Sequence, residues 1–138
     1  MALMLTKEWD ELAHAKAEEL FSAEATKFPK LSMTLVEVYE DVPEGRMGEY
    51  IWYKYSLKNG VLTEWEYGLD EDDTPEGDYT IFGDYDAYVK VLDGTVALEK
   101  AAVSGMFQIE GNMLKMMKLL GAYKQVIDLK RLDGTTTY

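Results

Sequence analysis

The stretch EYIWYKYSLKNGVLTEWEYG, residues 49–68, sets the architecture. Two runs rich in aromatic and β-branched residues flank Asn59-Gly60. Asn-Gly is the pair that a two-residue hairpin turn favours, because both turn positions need a positive φ. In the first arm Ile51, Tyr53, Tyr55 and Leu57 fall on one face. In the second arm Val61, Thr63, Trp65 and Tyr67 do, with Glu64 and Glu66 on the other side. One apolar side and one mostly wet side describe an antiparallel sheet packed on a single face.

Working upstream, residues 31–41 (LSMTLVEVYED) read as a third strand. The apolar alternation slips at Leu35-Val36, which predicts a bulge. Before it, residues 7–28 read as an amphipathic helix, with Trp9, Leu12, Ala13, Ala17, Leu20, Phe21, Ala25 and Phe28 at steps of three and four. Thr6 is its expected N-cap. The proline after Phe28 is its expected stop, because a residue preceding proline avoids helical geometry.

Downstream, residues 70–78 (DEDDTPEGD) form an acidic loop and 79–82 a short strand. Asp84 to Leu92 reads as a helix stopped by Gly94, and Thr95 to Val103 as another closed by Ser104-Gly105. Residues 106–110 read as a strand. Asn112 then caps a helix that runs to Leu120 and stops at Gly121. Residues 122–132 fit helix and strand equally. Residues 1–6 and 133–138 are expected to fray. Strands with helices gathered on one side make a single α+β domain over 1–138.

Composition limits the function. The chain has 138 residues, no cysteine, and a formal charge of −12. Without cysteine there is no disulfide, thiolate metal site or cysteine nucleophile. The acid excess opposes nucleic-acid binding, which rests on Lys and Arg contacts to phosphate. Residues 111–138 depart from it, with five bases (Lys115, Lys118, Lys124, Lys130, Arg131) against Asp128 and Asp133. Such a cluster could attract an anionic group. No apolar run reaches membrane-spanning length, so no integral membrane association is expected. Met1 to Leu5 is too short and too unlike a leader to be a secretory signal. The final Thr-Thr-Tyr is not a peroxisomal address. A cytoplasmic location is the expectation.

No catalytic signature stands out. His14, the only histidine, sits on a helix surface. No serine lies in a nucleophile elbow, and no glycine-rich phosphate loop occurs. Read as a calcium loop, the acidic segment puts Pro75 at the glycine turn and Ile81 at the bidentate position, so it fails. The expectation is no catalytic residue, no metal and no cofactor. The segment with most to say is Gly111 to Gly121, where Met113, Met116, Met117 and Leu120 share one helical face. Methionine is unbranched and adapts to irregular partners, so a methionine face suits either flexible core filling or a variable apolar ligand.

Asp78-Tyr-Thr-Ile81, then Gly94, Ala101 and Gly105, then Phe107-Gln-Ile109-Glu-Gly111-Asn-Met113 and Met117-Lys-Leu119 together resemble the sterol carrier protein 2 family. The resemblance spans about residues 78–120. Upstream, the opening helix and the Leu-Lys-Asn-Gly hairpin are similar in layout. The resemblance implies an SCP2-like α+β fold: a five-stranded, mostly antiparallel sheet with helices over one face and an apolar tunnel between. It implies non-catalytic binding or transfer of fatty acid, fatty acyl-CoA, sterol or another apolar ligand. Ile81, Phe107, Ile109, Met113, Met116, Met117 and Leu120 would then line or border the tunnel. From the charge of the basic segment, and not from the resemblance, Lys115, Lys118 and Lys124 would meet a head group. The alternative is an accessory or scaffold subunit that docks on a partner enzyme, its cavity small or filled by its own side chains. A small acid–base enzyme is a third possibility that no residue demands. The chain departs from the family in its acidity, since animal carriers are basic.

Overall fold

The structure, a computed structural model, describes the backbone of all 138 residues and the side chains of all but Met113, Met117 and Lys118. Its elements are β1 (Ala2–Leu3), α1 (Lys7–Leu20), β2 (Met33–Glu40), β3 (Ile51–Lys58), β4 (Val61–Gly68), β5 (Tyr79–Asp84), α2 (Tyr85–Leu92), α3 (Leu98–Val103), β6 (Gln108–Glu110), α4 (Met113–Lys118), α5 (Leu120–Lys130) and β7 (Thr136–Thr137). The main sheet runs β4-β3-β2-β5-β6. All its pairings are antiparallel except β2 with β5. The α+β class and the five-stranded, mostly antiparallel sheet agree with the sequence reading.

The hairpin turns at Asn59 (φ 50°) and Gly60 (φ 75°), both left-handed, as Asn-Gly requires. Ile51, Tyr53, Tyr55 and Leu57 are buried together. The second arm differs from the expected face. A register shift opposite Ser56 and Leu57 sets Leu62 across from Leu57, so Leu62 packs on the core and Thr63 is exposed. The bulge thus lies in β4 and not at Leu35-Val36. In β2 the register is regular, and Leu35 to Tyr39 is buried throughout. The apparent slip marks a central strand covered on both faces. Helices cover one face. On the other, Val36, Val38 and Trp52 form a small cluster. The acidic loop crosses this face. It is held by the Tyr50 and Thr74 hydroxyls at 2.7 Å, and its Gly77 approaches Val36.

Helix α1 begins at its Thr6 cap, which accepts from the Trp9 amide, but ends at Leu20 and not at Phe28. The Phe21 carbonyl accepts from the Leu62 amide at 2.9 Å, so the hairpin captures the chain there. Helix α3 is shorter than Thr95 to Val103. Gly121 does not stop a helix. The break comes at Leu119, and Gly121 sits in the first turn of α5, which settles residues 122–132 as helical up to Lys130. The termini are not frayed: β1 pairs in parallel with β7. Met4, Leu5 and Trp9 are fully buried, and the Trp9 indole donates to the Lys130 carbonyl and Thr136 hydroxyl at 3.2 Å each. Two residues per strand are too few to announce themselves as β-structure.

Candidate functional site

Between the β5–β6 edge and the helices lies an apolar cavity of about 30 Å³. Ile81 of β5 and Ile109 of β6 form its floor, with Phe107 just before β6. Tyr88 and Val91 of α2, Leu98 and Ala102 of α3, Met116 of α4, and Leu120, Tyr123 and Ile127 of α5 form the rest. Gly83 matters to this wall. A Cβ there would lie 2.4 Å from the Phe107 ring, so only glycine lets Phe107 lie flat on the strand, against Tyr88 at 4.9 Å. The volume admits a water molecule or two and not an acyl chain. The apolar space in this structure is a small cleft, too narrow for an acyl chain.

Five of the seven residues expected to line an apolar site meet in this wall: Ile81, Phe107, Ile109, Met116 and Leu120. The side chains of Met113 and Met117 lie outside the described residues. The sequence reading did not single out Tyr88, Val91, Leu98 or Ala102 as lining residues. It also missed Tyr123 and Ile127, whose spacing of four is a helical signal inside the stretch left undecided.

The basic segment does not assemble as one surface. Lys115 is exposed on α4, beside Asn112, Asp78 and Leu119, away from the cavity wall. Lys124 of α5 is ion-paired with Glu99 of α3, which holds the Glu99 carboxyl below its ordinary value. Arg131 pairs with Asp128 and donates to the Leu92 and Val91 carbonyls, closing the end of α2. Lys130 points inward and is fully buried. The side chain of Lys118 is not among the described ones. His14 is a surface residue, stacked on Trp65 and 2.9 Å from Glu18.

Behind the cavity wall is a buried polar cluster. The Lys130 ammonium donates to both oxygens of Glu37, 2.5 Å from Oε2, and to the Tyr39 hydroxyl at 2.9 Å. The Tyr123 hydroxyl donates to Glu37 Oε2. Rings of Tyr39, Tyr55, Tyr88 and Tyr123 surround the ammonium with centroids at 5.5 to 5.9 Å. Burial pushes these four tyrosines well above their ordinary value, and the Glu37 charge adds to the shift. Burial also lowers the Lys130 ammonium, which Glu37 opposes. Among the described residues no three acidic or histidine side chains converge as a metal site. No helix among them is long and apolar enough to cross a membrane.

The sheet order and its helical cover recur in solved structures. A crystal structure of sterol carrier protein 2 superposes with a TM-score of 0.73 at 16% identity, covering 93% of this chain and 97% of the other. The chain has the sterol carrier protein 2 fold. A conserved hypothetical protein from Thermus thermophilus, described as possibly a sterol carrier protein, matches at TM-score 0.70 and 19% identity over 93% of this chain and 87% of its own. The palmitated sterol carrier protein 2-like protein 2 of Aedes aegypti matches at 0.53 and 14%, over 81% and 91%. No protein-family model and no curated protein matches the sequence. The sterol carrier protein 2 fold here places its apolar cleft under α2 to α5.

Proposed function

We propose that this chain binds and carries a lipid in the cleft between the β5–β6 edge and helices α2 to α5. The observation that supports this reading is the wall itself, built from apolar and aromatic side chains of six elements around space that no described side chain fills. Each methylene a ligand buries there contributes about 0.8 kcal/mol. An acyl chain needs more room than 30 Å³, so binding opens the cleft. The part that moves is α3 with its flanks. It lies between Gly94 (φ 85°) and Gly105 (φ 84°), lacks a side-chain N-cap, and leaves Val103 71% exposed. The palmitated state of the mosquito protein supports the same reading through a shared fold.

Native mass spectrometry of the purified protein, followed by organic extraction, tests it. A fatty acid, phospholipid or sterol at near one per chain is the expected result. A protein that yields no lipid and takes up no fluorescent fatty acid is not a carrier, and docking on a partner enzyme becomes the better account.

A further inference from the structure

The Glu37–Lys130 pair makes little sense as a device for stability. Replacing a buried ion pair by apolar side chains of similar volume is often neutral or stabilising. Yet this chain builds an elaborate cage around it, joining β2, β3, α2 and α5. The cage shares two residues with the cleft. Tyr88 and Tyr123 present their rings to the cavity, and the Lys130 ammonium lies directly behind, 5.9 and 5.8 Å from the two ring centroids. Tyr123 spans both regions, its ring in the apolar wall and its hydroxyl on Glu37. The cage also holds a spare hydrogen-bonding group. The Tyr55 hydroxyl is buried without a partner among the described residues, and its side chain is 4% exposed.

We propose that this cluster is the polar end of the lipid site and that it selects an uncharged, hydrogen-bonding head group, such as a single hydroxyl. The proposal rests on the lipid-binding reading above. Tyr88 from α2 and Tyr123 from α5 border the cleft, and the groups directly behind them are Glu37 and Tyr39 from β2, Tyr55 from β3 and Lys130 from α5. Their charges sum to zero, because Lys130 is taken up by Glu37. An anionic head placed there would stand beside the Glu37 carboxylate with no free cation among these groups to meet it, and burying an uncompensated charge is costly. A neutral hydroxyl has no such cost. It can replace Tyr123 as donor to Glu37 when that ring turns, or accept from Tyr55. A long-chain carboxylate binds only with its proton, since two carboxylates sharing one site cannot both ionise.

Displacement of Nile red by decan-1-ol and by decanoate, from pH 6 to pH 8, tests this. Decanol affinity should stay constant. Decanoate affinity should fall about tenfold per pH unit, because binding takes up one proton. Tyr123→Phe, which keeps the ring and removes the hydroxyl that the ligand must displace from Glu37, should tighten decanol several-fold relative to Nile red. Decanoate binding that is flat with pH, or tighter than decanol at pH 8, overturns the head-group proposal and leaves the apolar cleft standing. Failure of Nile red and of both ligands to bind overturns the carrier reading and this proposal together.

Discussion

Lys130 shows how far a side chain's role depends on what stands around it. In sequence it belongs to a run of surface-like bases. In the fold its ammonium is fully buried and bidentate on Glu37. Removing one partner strands the other charge in the core. Lys130→Met should therefore destabilise the protein by about 3–5 kcal/mol. The double variant Glu37→Leu, Lys130→Met should recover more than half of that loss, since no charge is left unpaired. Urea unfolding of the two variants measures both values. A double variant as unstable as the single would show that the cage depends on the pair itself. Asp10 plays a comparable part at the hairpin, accepting from the Tyr53 hydroxyl and the Trp65 indole at 2.9 Å each. Neither partnership could be read from sequence, because the contacts span 43 and 55 residues.

Helix α3 is the element on which ligand exchange should turn. Six residues make a poor helix alone, so it holds its place through Leu98, Ala101 and the Glu99–Lys124 contact with α5. The chain has no native cysteine. Glu99→Cys with Lys124→Cys, joined by a short bifunctional thiol reagent, should slow Nile red uptake at least tenfold relative to the unjoined double variant. Equal rates would place the opening elsewhere. The ion pair also fixes a pH sign. Because Lys124 holds the Glu99 carboxyl below its ordinary value, the contact is complete above that value, about pH 4.3, and is lost as pH falls. Uptake should accelerate on acidification below about pH 4. The short helices themselves were legible from Gly94, Gly105 and Asn112. Their ends were not, because packing and not local propensity decides the last turn.

At the scale of the whole molecule, aromatic rings tie the hairpin to the cleft. Tyr53 touches Trp9, Tyr39, Tyr55, Trp65 and Tyr67, and Tyr39 passes the contact to Tyr88 and so to Phe107. Tyr39, Tyr55, Tyr88 and Tyr123 share burial and the Glu37 charge, which gives the fold an alkaline limit. Their folded values lie well above 10.0, so the unfolded chain ionises first. The stability they supply is intact below about pH 10 and is lost as pH rises beyond it. Lys130 acts with the opposite sign only up to its ordinary value, about pH 10.4, because a lowered lysine gains stability as pH rises toward that value. Above that pH the buried tyrosines act without opposition, and stability should fall steadily as pH rises. Tyrosinate absorbance should appear together with loss of far-ultraviolet structure in one transition. Gradual ionisation of all ten tyrosines in a folded protein would contradict the cage.

The amino-acid order alone determined the hairpin and its turn, the opening helix and its cap, the α+β class, and five of the residues around the cleft. Those are local facts: Asn-Gly needs left-handed backbone, Thr6 offers an oxygen to a free amide, and a period of two or of 3.6 marks a buried face. Tertiary structure decided the rest. It joined the two ends of the chain through β1 and β7, put the bulge at Thr63, and stopped α1 at Leu20. It also turned Lys130 from the surface into the core. Each of these is set by a partner far away in sequence, and a contact across many tens of residues leaves no periodic trace in the neighbours of either residue.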